Sequence, residues 1–369
     1  MIESTMFFKV THPQYARIGV MAWMADGRTL QYLAESGEFH DNPAILDDLA
    51  YEHFNRYTEV KPSDVPSLLT EVRPYESLSL QWIVDRFLCQ SRSERVEVAS
   101  FGFPTAAISK QSESRPASVR KSNDSLCPTS KSDESLPPIE WLWNLLNTKY
   151  KEQPAHPILN EVNRLVLAAI SSEPAITHDI LASAGTCRVF GIEHRVKTPD
   201  SLARKIITWV IARTLTAPDL SIKQIAGEVA DSIRYSLITA NHNDLLFFAQ
   251  NTYNSLITRG YSLVAAEHSY VELNVYKGFR TVWKSSTGQL FELQFRSDLN
   301  LKIKEIAYPY YKASRDFSKS LDERRKCFAQ TALLYATLPT PFGLDSEAKL
   351  GNVIIKPRIF QNPFDGRFK

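Results

Sequence analysis

The chain has 369 residues, of which 43% are hydrophobic and 23% are charged, and its formal net charge is +2. This length allows two domains, and the composition is ordinary for a globular protein. A net charge so close to zero excludes a global field that would attract nucleic acid or a membrane, so any basic site has to be local. The four cysteines lie far apart and form no metal-binding spacing, which favours simple thiols in a reducing compartment.

The amino-terminal sequence has no signal-peptide pattern, and no run approaches the roughly 18 apolar residues of a membrane span. We therefore expect a protein that does not use a membrane. It is expected to act in a cytoplasm, either that of the cell that makes it or that of a target cell into which it is delivered.

Residues 1–105 are predicted to form a small domain whose role the sequence does not reveal. Strands are predicted at 6–10, 18–24 and 29–33, because apolar runs there flank an Asp-Gly turn. Helices are predicted at 43–57 and 78–88. Residues 106–138 are dominated by Ser, Lys, Asp, Glu and Pro, so little could be buried to offset the entropy of ordering, and a flexible linker is expected.

A second domain is predicted at 139–320, followed by a tail at 321–369. Its predicted helices are at 140–150, 159–171, 199–215, 221–230, 243–259 and 299–315, and its predicted strands at 233–239, 261–265, 271–276, 281–284 and 290–296. Pro309 is expected to kink or break the last of these helices, and the tail is expected to hold one helix at 329–336. The order predicts an α+β fold, with a mixed, mostly antiparallel sheet flanked by helices and a separate small N-terminal α/β domain.

The predicted strand at 290–296 alternates between apolar and polar side chains. One face carries Phe291, Leu293 and Phe295, and the other carries Glu292, Gln294 and Arg296. A carboxylate, an amide and a guanidinium in a row are costly to keep away from water. The polar face is therefore predicted to hold a charged ligand, such as a metal-bound polyphosphate.

A basic segment precedes this strand in the sequence and has two interpretations. It carries Lys197, Ser201, Arg204 and Lys205 at the start of a predicted helix, and Ser201 and Lys205 would share a helix face. Cations and a hydroxyl near a helix start suit a polyphosphate. The alternative is a basic helix end that simply faces water.

Two shorter motifs also place charge next to predicted strands. Asp231 lies where a helix gives way to a strand, with Arg234 three residues on, and could ligate Mg²⁺ or pair with the arginine. In the segment Tyr276–Arg280, Gly278 permits close backbone approach, and the tyrosine could stack on a base. Lys277 and Arg280 would then meet phosphate, and the alternative is a β-turn with exposed charges.

A last group lies on the predicted helix at 299–315. Lys304, Tyr311 and Arg315 are spaced so that one helix face could present all three. An exposed amphipathic helix would show the same spacing.

Taken in order, these clusters resemble the synthetase domain of the RelA/SpoT family, the enzymes of (p)ppGpp metabolism. The likeness is greater to the stand-alone and toxin-associated branch of that family. It covers about residues 185–315 and rests mainly on Tyr276-Lys277-Gly278 and on the strand that begins at 290. The resemblance implies an enzyme that uses Mg²⁺ and transfers pyrophosphate from ATP to the 3′-hydroxyl of a nucleotide or of an RNA 3′-end.

The resemblance also implies a role for each matching residue. Asp231 and Glu292 match the metal-binding and catalytic carboxylates, with Glu292 assisting the metal or acting as the base. The segment that holds ATP is matched by Lys197, Ser201, Arg204 and Lys205. Arg234 and Tyr276 match residues that stack on adenine and on the acceptor base. The remaining nucleotide-binding set comprises Lys277, Arg280, Gln294, Arg296 and Lys304, with Arg296 and Lys304 neutralising phosphate.

The chain departs from the family pattern in places. The segment at Asp231 lacks a glycine found in long-form enzymes, and Arg296 and Tyr308 stand where related toxins carry histidines. The acceptor thus stays open between guanine nucleotides, adenine nucleotides and the 3′-end of tRNA. No hydrolase-like HD pair is visible, so a synthetase would need restraint, which favours a toxin or effector with an antitoxin or immunity protein, or an enzyme with a host activator.

Two other classes remain as alternatives. One is a non-catalytic nucleotide- or RNA-binding module on a synthetase-like fold, since function depends on site residues rather than on fold. The other is an ADP-ribosyltransferase, although the sequence has no clear NAD-binding motif.

Overall fold

The computed structural model describes residues 5–75, 81–103, 157–217, 219–316, 319–345 and 347–360, together with residues 362 and 364. The predicted linker at 106–138 and the predicted helix at 140–150 lie outside these residues. The described chain divides into two compact units. The first takes in 5–103, Arg204–Ile225 and the chain after residue 361, and the second takes in Pro157–Ala203 and Ala226–Gln361.

The first unit is built on a six-stranded antiparallel sheet in the order β5-β1-β2-β3-β4-β6. Its strands are β1 Met6–His12, β2 Tyr15–Trp23, β3 Thr29–Leu33, β4 Glu38–Asp41, β5 Arg56–Val60 and β6 Arg95–Glu97. Its first helices are α1 Ala44–Asp47, α2 Val65–Glu71 and α3 Gln81–Leu88. The three predicted strands are confirmed, and the edge-to-face rings of Phe7, Phe39 and Phe101 pack in the core.

The predicted helix at 43–57 is helical over 44–52 and is wrong beyond residue 52. The α-helix ends at Asp47, a single wider π-turn follows at Asp48–Glu52, and strand β5 begins at Arg56. The buried carboxylate of Asp48 accepts hydrogen bonds from the backbone N–H groups of Phe54 and Asn55. These bonds hold the chain in a turn where its apolar spacing favoured a continuous helix.

Part of helix α5, Pro199–Thr214, and the residues after it pack within the first unit. The Asn55 amide donates to the carbonyl of Ala212 at 2.8 Å, and the hydroxyl of Thr216 donates to Asn55 Oδ1 at 2.5 Å. Leu215 joins the apolar cluster of β1 and β2. The predicted domain boundaries at 105, 138 and 320 stay predictions. The sequence analysis placed Arg204–Ile225 in the second domain, whereas in the structure this segment packs with residues that come more than a hundred positions earlier in the chain.

The second unit has a six-stranded mixed sheet in the order β14-β9-β10-β11-β8-β7. Its strands are β7 Arg188–Phe190, β8 Arg234–Thr239, β9 Ser262–His268, β10 Phe279–Lys284, β11 Leu290–Ser297 and β14 Lys356–Pro357, and a separate two-stranded ribbon is formed by β12 Lys349–Leu350 and β13 Val353–Ile354. Its helices are α4 Pro157–Ser183, α6 Ile222–Gly227, shared with the first unit, α7 Leu245–Thr258, α8 Asp298–Ser314 and α9 Leu321–Ala336. The predicted α+β class is confirmed.

Two local predictions in this unit differ from the structure. The segment predicted as a strand at 271–276 is a turn, in which Leu273 has a left-handed backbone with φ of 65°. The helix predicted at 299–315 does not break at Pro309 but continues to Ser314 as α8, and α4 likewise contains Pro174, while a kink at Pro309 stays a prediction. Packing against the core outweighs the one backbone hydrogen bond that each proline removes.

Helix α4 is long and apolar enough to cross a membrane by length and composition alone, with a mean hydropathy of 1.2 over its best window. Its buried side chains include Ala169, Ile176 and Ile180, which join the core of the second unit. A core helix of an ordinary globular protein meets the same criteria, so this finding is weak support for a membrane span.

The predicted division of β11 into two faces is confirmed. Phe291, Leu293 and Phe295 are fully buried and join side chains of α4 and α7 in one core. Burying the apolar face in this way directs the alternate residues of β11 to the opposite side of the sheet. That opposite side holds the candidate site.

Candidate active site

The polar side chains of four neighbouring strands lie on one face of the second sheet. In the register, Arg234 of β8 is aligned with Glu292 of β11, and Arg280 of β10 is aligned with Gln294. On the next strand, Glu267 of β9 is aligned with Arg280. Because residues directly opposite each other point to the same side of a sheet, these five side chains share a face.

Hydrogen bonds link the carboxylates and cations of this face. Arg280 donates to Glu267 Oε2 at 2.5 Å and to Glu292 Oε2 at 3.4 Å. The Gln294 amide donates to Glu292 Oε1. Burial alone would raise the pKa of the Glu267 carboxyl, but Arg280 and Arg358 more than offset it and lower the pKa below its usual value.

Arg296 is buried, with 4% of its surface exposed, and its side chain contacts three neighbours. It donates to Gln294 Oε1 at 2.7 Å, to the Tyr276 hydroxyl at 2.6 Å and to Asn300 Oδ1 at 3.2 Å. Its guanidinium also lies 5.1 Å from the centre of the Tyr276 ring. A buried guanidinium without a carboxylate among these hydrogen-bond partners provides positive charge that suits an anionic ligand.

Lys304 on α8 lies in the field of the same cations. Burial lowers the pKa of its ammonium group to about 8, the positive charges of Arg296 and Arg234 add to the effect, and Glu305 opposes it. The lysine is therefore easier to deprotonate than an exposed lysine. A bound phosphate would favour the charged form.

This lysine predicts a pH dependence of binding. The ammonium charge is lost as the pH rises through about 8, so affinity for Mg·ATP should fall about tenfold in that range, the worth of one charge-assisted hydrogen bond. Lys304→Arg keeps its charge and should flatten the fall. Calorimetric titration from about pH 7 to about pH 9.5 measures this, with the exposed Lys302→Arg as the control. An unchanged pH dependence in Lys304→Arg would contradict the assignment.

Asp231 lies near the same end of the sheet as Glu292. It comes three residues before Arg234, the residue aligned with Glu292. Three residues of extended chain span about 10 Å, so this is the largest distance along the chain between Asp231 and the position opposite Glu292. Its Oδ2 accepts a hydrogen bond from the Lys197 ammonium at 2.5 Å, and the Lys197 backbone donates to the Ser232 carbonyl. Strands β8 and β11 are adjacent, so Asp231 lies in the turn that leads into the strand paired with the strand of Glu292.

Other predicted site residues take different places. Lys277 is buried and its ammonium donates to the Leu338 carbonyl at 2.7 Å, so it points into the interior. Ser201 accepts a hydrogen bond from the Thr198 hydroxyl at the start of α5. Lys205 lies 4.5 Å from the centre of the Trp209 ring, and Arg204 is exposed. Arg204 and Lys205 fall in the first unit, whereas the residues of the polar face fall in the second.

Tyr276 owes its position to the glycine two residues later. A Cβ atom added at Gly278 would lie 2.5 Å from the Tyr276 hydroxyl oxygen and 2.9 Å from Cζ. The ring therefore occupies the space that any other residue at 278 would fill. The sequence analysis assigned Gly278 to close backbone approach but gave no indication of this contact with Tyr276.

Gly278→Ala is expected to displace Tyr276 and break its hydrogen bond with Arg296. If Tyr276 stacks on a base, affinity for the acceptor should fall about tenfold, the worth of one base–aromatic stack, and overpacking should lower the free energy of unfolding by about 1–3 kcal/mol. Acceptor binding and urea unfolding measure the two effects. Gly227→Ala is the control, because a Cβ there meets no atom within 4 Å. Unchanged acceptor affinity in Gly278→Ala would exclude the stacking role.

The donor set of the site fits one kind of metal ion. Among the described residues, no group of three or more His, Cys, Asp or Glu side chains is placed to hold a metal. The protein ligands would thus be Asp231 and Glu292, with the rest of the coordination from substrate and water. Mg²⁺ is usually held in this way, by one or two carboxylates together with phosphate oxygens.

Two residues of the site were not predicted from the sequence. Glu267 is the one carboxylate of β9 and follows the apolar run at 263–266, so that isolated charge was a usable signal. Arg358 donates to Glu267 at 3.4 Å from the C-terminal segment. Nothing in its local sequence indicates this contact, because it depends on the pairing of β14 with β9.

No protein-family model matches the chain, and no curated protein matches it. Parts of the chain are similar to solved structures. The Type VI effector Tas1, in complex with its immunity protein, is 16% identical over 48% of this chain and 94% of its own, with a TM-score of 0.30. The small alarmone synthetase 1 of Bacillus subtilis is 13% identical over 53% and 92%, with a TM-score of 0.30. A GTP pyrophosphokinase family protein of Streptococcus pneumoniae is 17% identical over 54% and 89%, with a TM-score of 0.27. Overlaps this loose do not bear on activity.

Proposed function

We propose that this chain transfers pyrophosphate from ATP to the 3′-hydroxyl of a nucleotide or of an RNA 3′-end. The observation that carries the proposal is the polar face of β11. There, a nearly enclosed carboxylate, Glu292, lies among Arg280, Gln294 and Arg296. An acid held among cations on the polar face of the sheet suits a reaction between two anionic molecules, because the cations offset the negative charge of both.

In the proposed reaction, Glu292 accepts the proton of the acceptor 3′-hydroxyl. The 3′-oxygen attacks the β-phosphorus of ATP, a new oxygen–phosphorus bond forms, the bond to the α–β bridging oxygen breaks, and AMP leaves. Arg296 and Lys304 neutralise charge on the transferred group. Phosphoryl transfer asks little covalent chemistry of a protein, so positioning and charge stabilisation provide most of the rate.

Asp231 and Glu292 would hold Mg²⁺ with the substrate phosphates. When bound, the ion supplies charge neutralisation at the phosphate oxygens. In the structure, the Lys197 ammonium pairs with Asp231. When a ligand binds, the ammonium can leave this carboxylate and pair with a phosphate oxygen at a similar distance. The ion pair thus keeps a phosphate-binding lysine beside the metal-binding carboxylate.

The same proposal includes a toxin or effector role in a target-cell cytoplasm, with an immunity protein or antitoxin as the partner. The support is the resemblance of the sequence to the toxin-associated branch of the synthetases, and an unrestrained synthetase would drain ATP and the acceptor. Expression of the full chain is the corresponding test. Growth arrest that Glu292→Gln relieves would support the role.

The decisive experiment uses ATP labelled in its β- and γ-phosphates. The purified full chain, Mg²⁺ and a mixture of nucleotides or tRNA are combined, and the acceptors are separated. Label in an acceptor supports pyrophosphate transfer and identifies that acceptor. Binding of ATP without transfer supports the non-catalytic module, and transfer from labelled NAD supports the ADP-ribosyltransferase.

A further inference from the structure

The C-terminal segment Lys356–Phe360 is built into the sheet of the second unit. Strand β14 pairs in parallel with β9, which aligns Lys356 with Glu267 and Pro357 with His268. The Arg358 backbone N–H continues the pairing by donating to the His268 carbonyl at 2.7 Å. The segment therefore forms an edge of the sheet whose polar face holds the candidate site.

A buried side chain fixes this segment in place. Asn274, with 1% of its surface exposed, donates to the Arg358 carbonyl at 2.8 Å and accepts from the Phe360 backbone N–H at 2.8 Å. The Phe360 ring in turn lies 6.1 Å from the ring of Tyr276. The turn that carries Tyr276 and the C-terminal segment thus hold each other.

Arg358 begins a line of alternating charges that ends at Glu292. Arg358 donates to Glu267 Oε2 at 3.4 Å, and the same oxygen accepts from Arg280 at 2.5 Å. The other terminal nitrogen of Arg280 reaches Glu292 Oε2 at 3.4 Å. Two guanidiniums and two carboxylates follow one another in the order cation, anion, cation, anion.

The order of charges indicates what Arg358 does. Without it, Arg280 alone would face both Glu267 and Glu292, and its shorter contact is with Glu267. A second cation beside Glu267 offsets part of its negative charge, so the carboxylate attracts Arg280 less strongly. Arg280 then remains shared with Glu292, the group assigned as the base.

We propose that Arg358 is a positioning residue of the active site, which acts through Glu267 to keep Arg280 oriented on Glu292. This inference rests on the proposed pyrophosphate transfer. It makes the C-terminal segment, which the sequence placed in a tail beyond the catalytic domain, an integral part of the site.

A double-mutant cycle on the full chain tests this route. Arg358→Gln alone is expected to lower kcat for pyrophosphate transfer about tenfold, the usual loss when a residue that orients a catalytic side chain is removed. The KM for ATP should stay within about twofold of the wild-type value. In a Glu267→Gln background, Arg358→Gln should have no further effect on kcat, because the proposed route through Glu267 is already removed. Arg358→Lys should restore most of kcat, and Lys349→Gln, at an exposed position of the β12–β13 ribbon in the same unit, is the control.

Two results would overturn the proposal. An equal loss of kcat from Arg358→Gln in both backgrounds would mean that Arg358 does not act through Glu267. A raised KM with unchanged kcat would mean that Arg358 binds a ligand directly.

Unfolding in urea separates this inference from the proposed function. If the wild-type chain transfers no pyrophosphate, the function fails, and the same four proteins are compared by their unfolding equilibria. Arg358→Gln should raise the unfolding equilibrium constant about threefold when Glu267 is present and leave it unchanged in Glu267→Gln. Equal changes in both backgrounds would show that the pair is not coupled and would overturn the route on its own.

Discussion

Glu292→Gln is expected to lower kcat for pyrophosphate transfer by about 10²–10⁴-fold, the contribution of a positioned general base. Glutamine has nearly the same shape as glutamate, and its carbonyl oxygen can still accept one of the hydrogen bonds from Arg280 or Gln294. It cannot accept the proton of the 3′-hydroxyl. Because Glu292 is also assigned to Mg²⁺, the rates are compared at saturating Mg²⁺ and ATP, where single-turnover transfer of labelled phosphate measures the loss of the base.

The control for this substitution is Glu347→Gln, which removes an exposed carboxylate from the same unit. The control should keep the wild-type rate. Because Glu292 is buried, urea unfolding of the variant has to show that the chain remains folded at the assay temperature. A folded Glu292→Gln protein with the wild-type kcat would remove Glu292 from the chemistry and leave the site as a binding surface.

Strand β11 shows which features the sequence predicts well. Its alternation of apolar and polar residues has a period of two, and only a strand separates such residues onto two faces. The pattern therefore predicted the element, its buried face and the polar group of Glu292, Gln294 and Arg296. Local periodicity is sufficient here because the core on one side fixes the register.

The turn before β10 shows where the same reasoning fails. Val271, Val275 and Tyr276 favour a strand by propensity, yet the chain turns at Leu273, and the Asn274 side chain bonds to main-chain groups at 269, 358 and 360. Two of these three partners, at 358 and 360, lie on a segment that only the folded chain brings close to Asn274. Arg358 is missed for the same reason, since its place follows from the pairing of β14 with β9.

Lys277 shows a third limit. The sequence places a lysine, a glycine and an arginine after a tyrosine, and the two cations suit a phosphate group. The motif does not indicate which of the two cations faces the ligand. In the structure, Arg280 lies on the polar face in register with Gln294, whereas Lys277 precedes the strand and donates to Leu338 in the interior. Burial lowers the pKa of its ammonium, which fits this interior position. Side-chain direction within a turn is set by the backbone path and is not readable from residue type.

Asp231→Asn is expected to lower kcat about 10²-fold and to raise the Mg²⁺ concentration needed for half-maximal rate. The substitution removes one of the two carboxylates assigned to the ion, and a loss of about 3 kcal/mol is consistent with a metal ligand at a phosphoryl-transfer centre. It also breaks the ion pair with Lys197. A fall in activity alone would not separate these two causes.

Lys197→Ala separates them, because it breaks the same ion pair and keeps the carboxylate. If Asp231 binds the metal, Lys197→Ala weakens ATP binding but leaves the Mg²⁺ dependence of the rate unchanged, while Asp231→Asn shifts it. If Asp231 serves only to hold Lys197, the two variants lose activity equally and neither shifts the Mg²⁺ dependence. The second outcome would show that Asp231 is not a metal ligand. An aspartate before β8 and a glutamate on β11 would then have no shared metal ion that brings them into one reaction.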